Sequence, residues 1–512
     1  MVKIEKLFFY LLIFCLPFQT RLIIKQWGAE FNEWNSAFLY FTDLLIFAIL
    51  LFWIYRGRLT PIATPKNAEN IVLGLFFAIA GSSLFKTQNL GLGAYQFIKM
   101  AEFIILFFYI KSNRIGISIN EIPTALCPSG QKAGPGMLID KIRPSPFGKR
   151  AAQGEIGRER SERLSGFKKL FRLESICLIL MVSGLFQVAL GSLQFAHQQD
   201  LGLKIFGESP LHPNIDGVAK IVVLGAGPAA AGVKMIRAYG TFPHPNVLAA
   251  FLLFSIFSFY FLYLRMKEPT FCLKLMLASI FVFLVFGLFL TFSRTLITLF
   301  FIFSIALFLW LFFKKSLYNF YRRKTIMLCS FFLLAVLLCV GPMFSELYSR
   351  FVINAVDPGI SLRYFYNFIS FSMLKENPVL GVGIGNFVWG LNNFQGSLRA
   401  ANLIYKLDVP ETEVIPYVAP SWLFQPVHNV FLLIATEIGI LGLLIFLIFL
   451  GFIIYPVIKI IKENNPLFIV YCLLFIVIAA AMTDHFFWTI QQGRLMFWIL
   501  AGILAGLNKK TS

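Results

Sequence analysis

Twelve apolar runs, each about as long as the hydrocarbon core of a bilayer is thick, recur along this 512-residue chain. They lie near residues 7–24, 37–54, 70–86, 93–110, 174–195, 245–264, 271–291, 296–313, 325–342, 427–450, 466–483 and 490–507. Crossing a core of about 30 Å takes roughly 17–25 helical residues, and inside it a helix pairs its backbone amides within its own segment. The expected fold is therefore an all-α integral membrane protein with about 12 transmembrane helices. Composition excludes a soluble body: 58% of residues are hydrophobic, 17% aromatic and 14% charged. No small-residue cleavage site follows Leu7–Leu16, so the first run reads as a membrane helix and not as a removable signal peptide.

Lys and Arg in short loops mark the cytoplasmic side. With both termini inside, the inside segments are Met1–Lys6, Tyr55–Glu69, Lys111–Leu173, Arg265–Lys274, Lys314–Lys324, Lys459–Pro466 and Asn508–Ser512, holding about 30 of the 45 Lys and Arg residues. The net charge of +20 thus expresses topology and contact with anionic lipid headgroups, and nucleic acid is not an expected partner. The expected location is the inner (cytoplasmic) membrane. The seven cysteines form no disulfide framework and no metal spacing.

The runs divide the chain. Residues 1–110 carry helices 1–4, and residues 111–173 form a basic cytoplasmic insertion, expected to be disordered and to end in an interfacial helix near Glu159–Arg172. Residues 174–343 carry helices 5–9 with an external loop at 196–243. Residues 344–426 form a large extracytoplasmic loop between helices 9 and 10, and 427–512 carry helices 10–12 and a short cytoplasmic tail. Within the first external loop, Ile221-Val-Val-Leu-Gly225-Ala-Gly227 imitates a dinucleotide fingerprint. It lacks the parallel strand–turn–helix context and the later acidic residue that the chemistry needs. Gly381, Gly383 and Gly385 read instead as tight turns or close backbone packing.

The external helix ends gather polar groups. Arg237 precedes Tyr239-Gly-Thr-Phe-Pro-His244-Pro-Asn246 at the start of a helix, Arg294 occupies a turn of a few residues, and Arg363 lies in Ser361-Leu-Arg-Tyr-Phe-Tyr. His428 and Asn429 open another apolar run, a position from which a base can reach a headgroup. Each has a plainer use: an arginine snorkels, His244 bonds to backbone at a helix entry, and Asn246 caps a helix. Glu437 lies nine positions beyond His428, on the opposite helical face, which suits a supporting residue better than a second catalytic group. Asp43, Lys99 and Glu102 are further intramembrane polar residues suited to fixing helix packing, while Asp484 and His485 either join the site or cap a helix.

These residues carry a resemblance to the O-antigen ligase and O-antigen polymerase superfamily of bacterial membrane proteins. The His-Asn, nine-residue, Gly-x-x-Gly pattern from His428 to Gly442 is similar to the ligase signature. Gly240–Asn246, Thr291–Arg294 and Glu376–Phe387 resemble other recurrent segments of the family, in the same order. The resemblance runs from about Ser175 to Ile490 and implies a metal-independent glycosyltransferase without a cofactor. Its donor would be a glycan on undecaprenyl diphosphate and its acceptor a hydroxyl on a lipid, a glycan or a protein. The family histidine would correspond to His428 and its diphosphate-binding arginines to Arg294 and Arg363; from their places near the external helix ends, Arg237 is read as a third and Asn429, Glu437, His244 and Asn246 as supporting residues. Ligase and polymerase stay open alternatives. The competing class is a transporter or lipid-linked-oligosaccharide flippase, which would favour paired broken helices and internal repeats.

Overall fold

A helix that is apolar on every side is stable only when other protein surrounds it, and Pro245–Arg265 is such a helix. In the computed structural model, which describes residues 2–28, 31–57, 68–113, 115–116, 170–223, 233–351, 358–394, 423–463 and 465–508, this helix is almost entirely buried and forms the axis of a helical bundle. The insertion at 117–169, the fingerprint glycines Gly225 and Gly227, and residues 395–422 of the late loop lie outside the described residues.

In chain order the elements are α1 (Val2–Cys15), β1 (Arg21–Gln26), β2 (Ser36–Tyr40), α2 (Phe41–Tyr55), α3 (Ala68–Ser83) and α4 (Leu90–Ser112). Then come β3 (Ile115–Gly116), β4 (Phe171–Arg172), α5 (Leu173–His197), β5 (Lys220–Val223), β6 (Val233–Ile236) and α6 (Pro245–Arg265). They continue as α7 (Phe271–Leu290), α8 (Arg294–Phe313), α9 (Lys315–Val340), α10 (Phe344–Phe351), α11 (Pro358–Glu376) and α12 (Phe387–Gly390). The last are α13 (Val430–Ile454), α14 (Val457–Lys462), α15 (Phe468–Ala481), α16 (Phe486–Thr489) and α17 (Gln491–Asn508). Around the axis α6, α5 packs on α6 and α7, α4 on α17, α3 on α13, and α9 on α7 and α8.

Among the described residues, eight helical stretches are long and apolar enough to cross a membrane: Ala68–Lys86, α4, α5, α6, α7, α8, Tyr321–Val340 and Val430–Lys462. The other four apolar runs hold the shorter helices α1, α2, α15 and α17. Two of the runs outlast their helices for a visible reason: run 7–24 leaves α1 after Cys15 and ends in β1, and run 37–54 begins in β2. The strands β1 and β2 pair antiparallel, with a bulge at Ile24. Phe171–Arg172, expected at the end of an interfacial helix, instead forms β4 beside β3, a parallel pairing that ties the two ends of the insertion together. β5 and β6 pair antiparallel, so Ile221–Val223, the described part of the fingerprint-like stretch, belong to an antiparallel pair and not to a parallel nucleotide-binding sheet.

Buried charges are paired across helices. Lys99 on α4 donates to Asp43 on α2 at 2.7 Å and to Glu102 at 2.6 Å, and Gln491 on α17 donates to Asp43 at 2.6 Å. A cation shared by two carboxylates offsets desolvation that neither helix would tolerate alone.

The helix α13 is broken. Gly439 adopts φ 88° and ψ 170°, a region open essentially to glycine alone. A break leaves carbonyls without helical donors, and in an apolar surround these must be paired. The glycine-rich segment 378–385 does so: Val382 N–H donates to Thr436 O at 2.8 Å and Gly383 N–H to Glu437 O at 2.9 Å. Ile440 N–H in turn reaches Pro378 O at 2.9 Å. Gly381, Gly383 and Gly385 all have positive φ, which lets this segment turn tightly enough to lie against the break.

Candidate functional site

At the end of the bundle where α6, α8 and α13 begin and α15 finishes, their termini surround a cleft of about 590 Å³. Each wall is set by local backbone chemistry. Phe292, just before α8, has φ 45°, a left-handed conformation uncommon for a bulky residue, and this turn brings Ser293 and Arg294 to the cleft. Arg294 is the first residue of α8, where the positive end of the helix dipole disfavours a cation unless an anion is near.

The second wall is the turn before α6. Gln194 on α5 accepts from Gly240 N–H at 2.8 Å, and Gln187 accepts from Thr241 N–H at 2.9 Å. A side chain at Gly240, which has φ 60°, would meet the Gln187 carboxamide oxygen at 2.4 Å. The turn therefore delivers Arg237, His244 and Asn246 to the cleft in fixed positions. His244 is the helix cap, its Nδ1 accepting from Asn246 N–H at 3.1 Å, because Pro245 takes the first helical position. Asn246, expected as the cap, is instead a bridge: its Oδ1 accepts from Arg237 Nη2 and its Nδ2 donates to Asp484, both at 2.8 Å. Arg237 Nε also donates to Thr291 O at 2.5 Å.

His428 projects from the third wall. Asn429 beside it caps α13, its side chain accepting from Leu432 N–H at 3.0 Å, and does not line the cleft. The His428 ring lies against Tyr366 of α11, ring centroids 5.9 Å apart at 20°, and edge-on to His485 at 4.9 Å. Its Nδ1 is buried without a hydrogen-bond partner among the described residues, and the rings of Tyr366 and His485 pack on the imidazole. Arg363, one turn before Tyr366, lines the same cleft. Thus His428, Arg294, Arg363, Arg237, His244 and Asn246 meet in one space, and Asp484 and His485 join them. Glu437 does not. It lines a separate small cavity with Arg494, accepting from the Trp488 indole at 3.2 Å and from backbone amides of Gly385 and Phe387.

Electrostatics follow from this packing. Burial first, then the neighbouring His485, lowers the His428 imidazole to about 3, with Arg363 and His244 acting the same way and Asp484 opposing. Burial and then Arg237 lower His244 to about 3, and burial lowers His485. Burial alone would raise the Asp484 carboxyl, yet His485, then His428 and His244, which carry protons at the acid pH where it titrates, and the Arg363 guanidinium hold it below the usual carboxylate range. At neutral pH the site thus holds neutral imidazoles, an ionised Asp484 and several guanidinium groups. Among the described residues no cluster of three or more His, Cys, Asp or Glu is disposed to hold a metal ion.

Several lining groups escaped the sequence reading. Lys220 and Arg350 bring further positive charge, and Trp34 of the first hairpin lies edge-on to His485 at 5.0 Å. Tyr366, which packs on His428 without lining the cleft, had a visible signal, since it stands three positions after Arg363 and so on the same face of a helix. Nothing comparable marked Trp34, which stands between the first two apolar runs and reaches the cleft because β1 and β2 pair on either side of it.

The family model described as O-antigen ligase matches residues 279–447, a stretch that includes Arg294, Arg363, His428 and the break at Gly439. No curated protein matches the chain. The match supports the resemblance carried by the motifs: residues 279–447 are similar to an O-antigen ligase domain, in a chain whose described residues include eight helical stretches long and apolar enough to cross a membrane.

Proposed function

We propose that the cleft transfers a glycan from undecaprenyl diphosphate to an acceptor hydroxyl on the outer face of the cytoplasmic membrane, in cell-surface polysaccharide biosynthesis. One observation carries this reading: a neutral, partly buried imidazole shares a single cleft with arginines from separate helices. The acceptor oxygen attacks the anomeric carbon as its proton passes to His428, and the bond to the diphosphate oxygen breaks with its electron pair leaving on the diphosphate. Arg294 and Arg363 bind and stabilise the departing charge, which forked guanidinium donors do better than a point charge. Arg237 adds positive charge while Thr291 and Asn246 hold it in place. Asn429 supports His428 by fixing the start of α13, and Glu437 acts at a distance by anchoring the broken helix. The acceptor, whether a lipid, a glycan or a protein, decides between ligase and polymerase activity.

The break at Gly439 is the one observation that favours a transporter or flippase, because interrupted helices often mark transport sites. Against it, the freed carbonyls are closed by backbone donors from 378–385 and do not line the cleft. The test is purified protein in nanodiscs, supplied with a lipid-diphosphate glycan and candidate acceptors and followed for released lipid diphosphate. Metal-free transfer supports the reading; solute or lipid movement in sealed vesicles without transfer to any acceptor supports the transporter.

A further inference from the structure

The β1–β2 hairpin presents apolar side chains to its surroundings on both of its faces. Leu22 and Ile23 point to opposite sides of β1 and Ile24 is the extra residue of its bulge, yet they are 70%, 56% and 63% exposed. A protein partner laid on one face would leave the other in water; an apolar medium on both sides satisfies all three. Leu39 stands opposite Leu22 on β2 and is also exposed, and from there exposed Phe41, Leu44 and Phe47 run along one side of α2. The hairpin surface is thus continuous with a helix face that, in a membrane protein, meets lipid. Beside it, Ile205 is 81% exposed on a turn held to the start of the hairpin, where Gln19 N–H donates to Phe206 O at 3.2 Å.

The flanking residues have interfacial chemistry. Exposed Lys25 places its ammonium 5.4 Å from the Trp27 ring, and exposed Lys204 precedes Ile205. Lysine and tryptophan beside exposed aliphatic groups suit the boundary where acyl chains meet anionic headgroups. The bulge also twists the open edge of β1 away from the flat geometry that pairing with another strand requires.

We propose that the β1–β2 hairpin and the adjoining Ile205–Phe206 turn are seated in the interfacial layer of the leaflet on the cleft side, with anionic headgroups against Lys25 and Lys204. Phe31–Trp34, between the two strands, lines the cleft, so this contact sets the cleft mouth at headgroup depth.

The test uses the full chain in nanodiscs with its native cysteines replaced by alanine, carrying bimane at Leu22→Cys or at Ile23→Cys. Doxyl groups near the headgroup should reduce emission from both positions more than doxyl groups near the chain end, and aqueous iodide should have little effect. Bimane at Ile302→Cys on α8 provides a lipid-facing reference and bimane at His212→Cys a water-facing one, both positions being exposed. In the labelled proteins, Lys25→Glu with Lys204→Glu should remove the additional quenching gained on adding anionic lipid, through surface changes that leave the fold intact. Quenching by iodide and not by lipid would overturn the proposal. So would protection from both at either position, and recovery of emission changes on dilution with empty nanodiscs would then identify a second copy as the cover.

Discussion

His428 sits in an environment that favours its neutral form, and the substrate proposed for it would change that environment. Two phosphates entering beside Arg363 cancel part of the positive field that helps hold the imidazole down, so binding raises its proton affinity at the moment a base is needed. The acid limb of kcat/KM, which reports the free enzyme, should therefore fall well below the ordinary histidine value of 6.5, while that of kcat lies higher; coincident limbs near 6.5 would contradict this. His428→Ala should lower transfer by about 10²–10⁴-fold in protein that remains folded and inserted, and near-normal turnover would remove it from the mechanism. Arg294→Ala and Arg363→Ala should each abolish most transfer, with Arg→Lys restoring only part because an ammonium cannot make the forked contacts. Chelators should leave the rate unchanged.

At the scale of elements, the break in α13 is the feature most open to mutation. A Cβ at Gly439 would lie 1.8 Å from Val379 O, in a backbone region that side chains avoid. Gly439→Ala should cost on the order of 3 kcal/mol or more, from strain and overpacking together, and appear as a lowered thermal midpoint. Gly74→Ala is the control: it lies in a spanning helix with nothing within 4 Å and should be neutral or slightly stabilising. The apolar periodicity made the helices legible because burial and lipid exposure both demand long apolar runs. For the same reason it concealed where α1 ends and α2 begins, since Leu22–Ile24 of β1 and Ala37–Tyr40 of β2 continue the apolar runs. Of the residues lining the cleft, His428 and Arg294 were legible because each stands at the start of an apolar run, and Arg363 because of its place in the late loop ahead of the glycine-rich turn. Asn246 was misread because Pro245 and the His244 ring jointly shift the cap by two positions, a result of local geometry that residue preferences alone do not contain.

Taken whole, the molecule concentrates unusual protonation at one end. An imidazole lowered in the folded state binds its proton later than the unfolded chain does, so acidification below 6.5 favours unfolding, and for His428 and His244 this continues toward about 3. Asp484 has the same sign, because a carboxylate held low contributes stability above its ordinary value of 3.8 and loses it as pH falls through the folded value. The unfolding midpoint in nanodiscs should decline between pH 6.5 and 4, and less so in His244→Asn; a flat profile would show that the histidines do not remain buried. The proposed orientation predicts that a label at Gln395→Cys reacts from outside sealed cells and not from the cytoplasmic side alone. The segment closing the α13 break has a kinetic consequence as well. Its glycines suggest a floppy connector, yet every amide from Gly381 to Phe387 has an acceptor, supplied by Asn377, Thr436, Glu437, Ser83 and Gly383. In deuterated buffer this short non-helical stretch should exchange as slowly as the spanning helices, and its glycines would then act as rigid joints.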